Sequence, residues 1–274
     1  MSEMDIRNCD GIDLLNTIQD GSVDLFLTDP PYIISRESGM NKLRDAIDSD
    51  QDLSKTEDEW KVFLEKNKDL KMAKNAKENF LKYGTIYGKN TLLNKYGQWD
   101  EDFTLGKLEE FIELFYKKLK PGGTCIVWFD IEKISYLIAM MRKNKLQQFR
   151  WFVWVKNNPQ PINSKINYLS NAKEIAVSFV RKNKATYNSS YNKGVYFYPT
   201  AAGKNRFHPT QKSLPLFEEL IKEHTNEGDL VVDTFLGGGT TAVAAKRTGR
   251  RFIGSEIDPE FFKLLKNVVD NEGT

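Results

Sequence analysis

The stretch Leu230-Val231-Val232-Asp233-Thr234-Phe235-Leu236-Gly237-Gly238-Gly239-Thr240-Thr241-Ala242-Val243-Ala244-Ala245 reads as strand, glycine turn and helix in direct succession. Three adjacent glycines let the backbone approach a ligand closely, and the helix behind them offers unpaired N–H groups and a positive dipole end to an anion. The Gly-x-Gly-x-x-Gly spacing of dinucleotide folds is missing, and so is the Gly-Lys-Ser/Thr ending of a phosphate loop, which disfavours a nucleotide triphosphate. A second strand, Arg251-Phe252-Ile253-Gly254-Ser255-Glu256, ends in an acid about twenty residues after the glycines, where a carboxylate suits the two hydroxyls of a ribose. The expected ligand is a nucleoside.

Far upstream, the apolar run Val23-Asp24-Leu25-Phe26-Leu27 ends in Thr28-Asp29-Pro30-Pro31-Tyr32. This string suits chemistry on an exocyclic amine, whose lone pair is delocalised into its ring and must be drawn out before it can attack an electrophile. Two acceptors, one for each N–H, do this: the Asp29 carboxylate and the Pro30 carbonyl, presented by a stiff loop because proline lacks an N–H and keeps its predecessor extended. Tyr32 adds a flat face on which an extruded base can stack.

Strand and helix patterns alternate along the chain, which predicts an α/β fold with a mostly parallel sheet and helices on both faces. A short strand near Ile6 precedes the one from Val23 to Thr28. Leu108, Phe111, Ile112, Phe115 and Leu119 recur at helical spacing up to Pro121-Gly122-Gly123, a stop signal, and Thr124 to Phe129 reads as a buried strand. Residues 131–145, 214–223 and 259–269 suit helices, and 149–155 and 174–180 suit strands. The run Trp151-Phe152-Val153-Trp154 fits a core strand better than a stacking platform.

With 274 residues the chain can hold one large core and a smaller appendage. Its 40 basic and 38 acidic side chains give a formal net charge of +2, so a polyanionic partner has to be argued from local charge. No apolar run has the length of a membrane span and the first residues are unlike a signal peptide, so a cytoplasmic location is expected. Cys9 and Cys125 are too few for a disulfide framework, and with only His208 and His224 beside them no metal site is expected.

These motifs together resemble the amino-methylating DNA methyltransferases that use S-adenosylmethionine, in the permuted beta group whose catalytic motif precedes the cofactor motif. The resemblance covers most of the chain outside residues 33–98. It implies a Rossmann-like methyltransferase fold, catalysis by Asp29, Pro30, Pro31 and Tyr32, and cofactor binding by the loop from Asp233 to Thr241 through Asp233, Phe235, Gly237, Gly239, Thr240 and Thr241. It further implies cofactor contacts from Asp29, from Glu256 and Ile257 at the ribose, and from Asp10 of Asn8-Cys9-Asp10-Gly11 at the adenine. His208-Pro209-Thr210-Gln211-Lys212 matches the motif that closes over the methionine end, through Thr210 and Lys212. The chain departs from the family's usual residues at Thr234 and Ser213, where proline is common, and at Gly238, where serine is common. The missing serine shifts the expected carboxylate contact to Thr240, Thr241 or backbone N–H groups.

The organisation read from sequence is a catalytic-loop part (1–35), an insertion (36–98) suited to a lid, a DNA contact or a subunit contact, a methyltransferase core (99–156), a basic target-recognition region (157–207) and a cofactor-binding part (208–274). The insertion holds one plausible amphipathic helix around Trp60, Phe63 and Leu64, then a loop bearing Gly84, Gly88 and Gly97. Between residues 156 and 206 stand Lys156, Lys165, Lys173, Arg181, Lys182, Lys184, Lys193, Lys204 and Arg206 against one acid, Glu174. Such an imbalance marks a surface facing a polyanion, so all of these except Lys173 are taken as the DNA-contacting set. Tyr187, Tyr191, Tyr196 and Tyr198 could stack or wedge there. The expected function is methyl transfer from S-adenosylmethionine to adenine N6 in double-stranded DNA by base flipping, with a homodimer or a cognate restriction endonuclease as compatible partners. Cytosine N4 is the alternative target, followed by an RNA or protein-glutamine methyltransferase and an inactive nucleic-acid-binding module.

Overall fold

The computed structural model describes residues 3–31, 54–67, 72, 74–83, 103–162, 169–201 and 211–272. The chain divides into two compact units, one of Met1–Ile33 with Asp102–Thr274 and one of Ile34–Glu101.

The larger unit contains β1 (Met4–Arg7), α1 (Gly11–Thr17) and β2 (Val23–Thr28). The smaller unit contributes α2 (Glu57–Lys66) and α3 (Ala76–Tyr83). The larger unit resumes with α4 (Leu105–Lys118), β3 (Leu119–Phe129), α5 (Ile134–Lys143), β4 (Gln147–Ile162), β5 (Leu169–Val180) and β6 (Val195–Tyr198). It closes with α6 (Leu214–His224), β7 (Leu230–Asp233), α7 (Thr240–Arg247), β8 (Arg251–Ser255) and α8 (Pro259–Asn271).

Eight strands form one sheet in the order β1-β8-β7-β2-β3-β5-β4-β6. The run from β1 to β3 is parallel, β5 is antiparallel to both β3 and β4, and β6 is parallel to β4. Because successive strand residues face opposite sides, Phe26, Cys125, Val127 and Val232 build one core with α1, α4 and α5, while Leu25, Leu27, Ile126, Trp128 and Val231 build another with α6, α7 and α8. Burial on both faces explains why these strands read as continuous apolar runs.

In the smaller unit, Thr56 and Glu59 form a capping box at the start of α2, and Trp60 and Phe80 pack with Phe63 into a small aromatic core. The expected helix around Trp60 therefore has a partner in α3, which sequence reading did not place. The loop carrying Gly84, Gly88 and Gly97 lies outside the described residues.

Three features of the larger unit differ from expectation. Pro121-Gly122-Gly123 does not precede β3 but lies within it, as an irregularity in the pairing with β2 between Val23 and Leu25. Gly122 adopts φ 87° there, and its N–H donates to the Arg181 carbonyl at 2.7 Å. The β4 and β5 strands run well past 155 and start well before 174, as a hairpin extended by pairs such as Val155 with Lys173. The third is β6, in which Tyr196 is buried with its hydroxyl donating to Glu223 Oε2 at 2.7 Å. Tyr196 is thus a core strand residue rather than a DNA wedge, and Tyr198 is a half-buried strand residue whose hydroxyl donates to Glu219. The aromatic run splits by alternation: Phe152 and Trp154 are buried and Trp151 is exposed. No helix among the described residues is long and apolar enough to cross a membrane.

Candidate active site

The parallel strands deliver their carboxyl ends to one rim of the sheet, where Thr28, Asp233 and Ser255 end β2, β7 and β8. A rim of this kind is where open α/β sheets bind ligands. Asp233 joins the parts. Its Oδ1 accepts from Thr28 Oγ1 at 2.6 Å and from the Phe235 N–H at 3.0 Å, and its Oδ2 accepts from Thr241 Oγ1 at 2.6 Å. Burial pushes this carboxyl above its ordinary range, against the pull of the three donors. Both Asp233 oxygens are engaged within the protein, so it shapes the site from beneath.

Gly237 and Gly239 take left-handed conformations, φ 48° and 71°, that favour glycine. Gly239 is also the N-cap of α7 and offers no capping side chain, which leaves the first N–H groups of that helix to a ligand. Glu256 supports the turn: its Oε2 accepts from the Gly237 N–H at 2.7 Å and its Oε1 from the Asp258 N–H at 2.9 Å. Burial raises the Glu256 carboxyl while those two backbone donors counter it. A carboxylate has about four acceptor sites, so each Glu256 oxygen keeps one for a hydroxyl. The neighbouring Ile257 is half exposed.

Phe235 packs against Phe103 and Phe111 at ring-centroid distances of 5.4 and 4.6 Å. Gly11 lies so close below that a Cβ there would meet Phe111 Cε1 at 2.7 Å and Thr234 Cβ at 2.9 Å. Asp10 caps α1 by accepting the Ile12 N–H at 2.7 Å, and its other oxygen lies 3.8 Å from Lys107 Nζ. The structure therefore gives Asp10 a capping role, and any ligand contact from it shares the carboxylate with the helix.

Asp29 follows directly on β2, with Pro30 buried behind it. Its Oδ2 lies 2.8 Å from Lys212 Nζ, whereas Oδ1 is shielded from solvent and has no hydrogen-bond partner among the described residues. Burial, opposed by Lys212 and reinforced by Glu174, pushes the Asp29 carboxyl up to about 6. Lys212 also lies 2.5 Å from Glu174 Oε2, whose Oε1 lies 2.6 Å from Lys156 Nζ. Burial acts to raise Glu174, but Lys212 and Lys156 hold it below the usual carboxylate range. The ammonium of Lys212 is thus shared between two carboxylates. Glu174 was missed as a site residue, although its isolation as the one acid in a basic stretch was a signal. Tyr32 and Thr210 lie outside the described residues.

The basic set needs correction. Lys156 is buried and paired with Glu174, beside the ring of Trp154. Arg181 donates to the carbonyls of Lys117 and Leu119 and lies over the Tyr116 ring, closing the end of α4. Lys182 and Lys184 follow the end of β5, where Val180 pairs with Thr124 in the middle of β3 and Lys184 lies close to Gly122, so they lie toward the end of the strands opposite to Asp29. Lys193 precedes β6, whose first residue Val195 pairs with Val153 level with Ile175 and Phe129, and it is next to Asn192, which donates to Glu223 near the end of α6. Lys165, Lys204 and Arg206 lie outside the described residues. Lys173, exposed and paired in register with Val155, stands on the Asp29 side.

Comparison with known proteins agrees with this fold. Residues 23–267 match the family model described as DNA methylase, of the N6/N4 methyltransferases. The Type II methyltransferase M2.DpnII of Streptococcus pneumoniae is 31% identical over 199 residues, covering 64% of this chain and 72% of the relative. The Type II methyltransferase M2.MboI of Moraxella bovis is 26% identical over 277 residues, covering 94% and 84%. Among solved structures, the M1.HpyAVI–SAM complex shares the fold with a TM-score of 0.64 at 21% identity, over 98% of this chain and 100% of that one. The cytosine-N4-specific PvuII DNA methyltransferase does so with a TM-score of 0.65 at 18% identity, over 97% and 86%. With a family match that spans both the glycine turn and Asp29, this chain belongs to the N6/N4 family of DNA amino-methyltransferases.

Proposed function

We propose that this protein transfers a methyl group from S-adenosylmethionine to N6 of an adenine extruded from double-stranded DNA. The observation that carries this reading is the shielded, unpartnered Oδ1 of Asp29 beside Pro30-Pro31, on the same rim as the glycine turn. The rim suits the cofactor: uncapped N–H groups of α7 for a carboxylate, free lone pairs on Glu256 for ribose hydroxyls, and a second shielded polar atom without a partner, Thr234 Oγ1. Thr240 replaces the family's usual serine as the hydroxyl for that carboxylate, since Thr241 is engaged by Asp233.

Bound S-adenosylmethionine supplies an electrophilic methyl group. The chain's own residues prepare the nucleophile. Asp29 Oδ1 and the Pro30 carbonyl would each accept one N–H of the exocyclic amine, which turns its lone pair out of the ring for attack. Once the nitrogen carries positive charge its proton becomes acidic and passes to Asp29, whose carboxyl, raised to about 6, matches a proton acceptor near neutral pH. The dry, rigid floor of Trp128, Phe217 and Leu27 excludes water from beneath.

Adenine is favoured over cytosine because the resemblance places aspartate before the two prolines, where many cytosine-N4 enzymes carry serine. Expression in a host lacking adenine methylation, followed by modification-sensitive sequencing of its genome, tests the assignment and gives the recognition motif. Modified adenines at a recurring motif are expected; modified cytosines in their place would move the assignment to N4.

A further inference from the structure

Lys212, Glu174 and Lys156 extend from Asp29 as a chain of alternating charge, with successive contacts of 2.8, 2.5 and 2.6 Å. The two lysines are 7% and 8% exposed, so these are not solvated surface pairs. Each ammonium also lies beside an indole, Lys212 over Trp128 at 5.7 Å and Lys156 over Trp154 at 5.3 Å, and the two indoles meet edge to face at 6.3 Å. The chain crosses four segments: the loop after β2, the residues leading into α6, and the facing strands β5 and β4.

We infer that Lys212 and Glu174 are positioning residues for methyl transfer, Lys212 anchoring one oxygen of Asp29 so that the other faces the amine, and Glu174 holding Lys212 in place. The inference rests on the functional reading above for its consequence, but its physical content belongs to Asp29 itself. Without an anchor, a carboxylate at the end of a loop rotates about its side-chain bonds and presents either oxygen. With Oδ2 tied to an ammonium that is itself tied to Glu174, rotation is blocked and Oδ1 is left as the acceptor. Glu174 prevents Lys212 from neutralising Asp29 completely, because the ammonium is shared between two carboxylates. Lys156 balances the second carboxylate, so three buried charges beyond Asp29 are each matched within a hydrogen-bond length.

The groups facing Asp29 are Lys212 from the segment before α6, Glu174 from β5 and Asp233 from β7, with Lys156 of β4 reaching it through Glu174. Lys212 lowers the Asp29 carboxyl, and the other two acids raise it. Two substitutions must therefore act in opposite directions. Lys212→Met removes the cation and should move the Asp29 titration upward by about one unit or more. Glu174→Gln removes a like charge and leaves Lys212 to Asp29 alone, so the titration should move downward.

The test follows the 13Cγ resonance of Asp29, assigned by its loss in Asp29→Asn, through a pH titration of the full-length protein and of both variants, beside single-turnover methyl transfer to duplex DNA over the same pH range. Opposite shifts of the resonance, matched by opposite shifts of the acid limb of the rate, are the expected result. Calorimetric titration with S-adenosylmethionine should give affinities within about twofold of wild type for both variants. Shifts in the same direction, or none, would overturn the inference, as would an affinity loss in Lys212→Met with an unmoved titration, which would make Lys212 a cofactor ligand. Should Lys212→Met fail to fold, the near-isosteric Glu174→Gln decides alone through its downward shift. An absence of methyl transfer to any DNA by wild type would count against the function while the resonance still judges the positioning.

Discussion

Thr28 and Asp233, 205 positions apart, are joined by a hydrogen bond of 2.6 Å that ties the end of β2 to the start of the glycine turn. Both side chains are buried. Thr28→Val keeps the shape of the side chain but removes the donor, so Asp233 Oδ1 retains only the Phe235 N–H. A stability loss of about 1–3 kcal/mol is expected, read as a lower denaturant midpoint at constant slope. On the proposed function methyl transfer should slow as well, because the joint sets the distance between Asp29 and the glycine turn.

On the proposed function, the raised carboxyl of Asp29 sets the pH dependence of methyl transfer. Above about pH 6 the group is ionised and both oxygens accept; below it the carboxyl is protonated and can no longer serve as the amine's acceptor and proton sink. The single-turnover rate should therefore fall about tenfold per pH unit below that value. A flat profile down to pH 5 would remove Asp29 ionisation from the rate.

On the proposed function, Glu256 has a second role beside supporting the turn, and the two can be separated. Glu256→Ala bares the N–H groups of Gly237 and Asp258 and should cost about 1–3 kcal/mol of stability. It should also weaken S-adenosylmethionine binding by about 1.5–3 kcal/mol, as expected for charge-assisted hydrogen bonds to hydroxyls. Calorimetric titration at a temperature where the variant remains folded reads the second effect alone; unchanged affinity there would leave Glu256 with the turn only.

Phosphate contacts are expected on the Asp29 side of the sheet. Replacing Lys182 and Lys184, toward the opposite end of the strands, by alanine should leave the dependence of DNA affinity on salt unchanged. Replacing Lys165 and Lys173, which lie between Lys156 and Glu174 in the chain, should flatten it by roughly 0.9 in log–log slope for each phosphate that is no longer neutralised. A flatter slope for the first pair would place DNA at the other end.

The strands that carry the site were legible because they are buried on both faces: β2 from Val23 to Thr28 is a short apolar run closed by turn residues, and so is β7. The glycine turn was legible because three adjacent glycines have few uses. Pro121-Gly122-Gly123 misled because proline and glycine punctuate chains, yet here they form an irregularity that the sheet carries through. Helix α1, at seven residues, is too short to display a period, and its capping Asp10 was read only as a ligand. The basic count between 156 and 206 could not separate the two ends of the strands, because β4 and β5 run antiparallel and send neighbouring lysines to opposite ends. The bond from Lys212 to Glu174 spans 38 positions and exists only once β5 and the segment before α6 meet.

Incubation of the purified protein with S-adenosylmethionine and unmethylated duplex DNA, followed by digestion to nucleosides and mass spectrometry, tests the central claim most directly. N6-methyladenine is the expected product, lost almost entirely in a folded Asp29→Ala variant. N4-methylcytosine as the only modified nucleoside would contradict the assignment of the base, and N6-methyladenine at an undiminished rate from Asp29→Ala would contradict the role of the carboxylate on which the account stands.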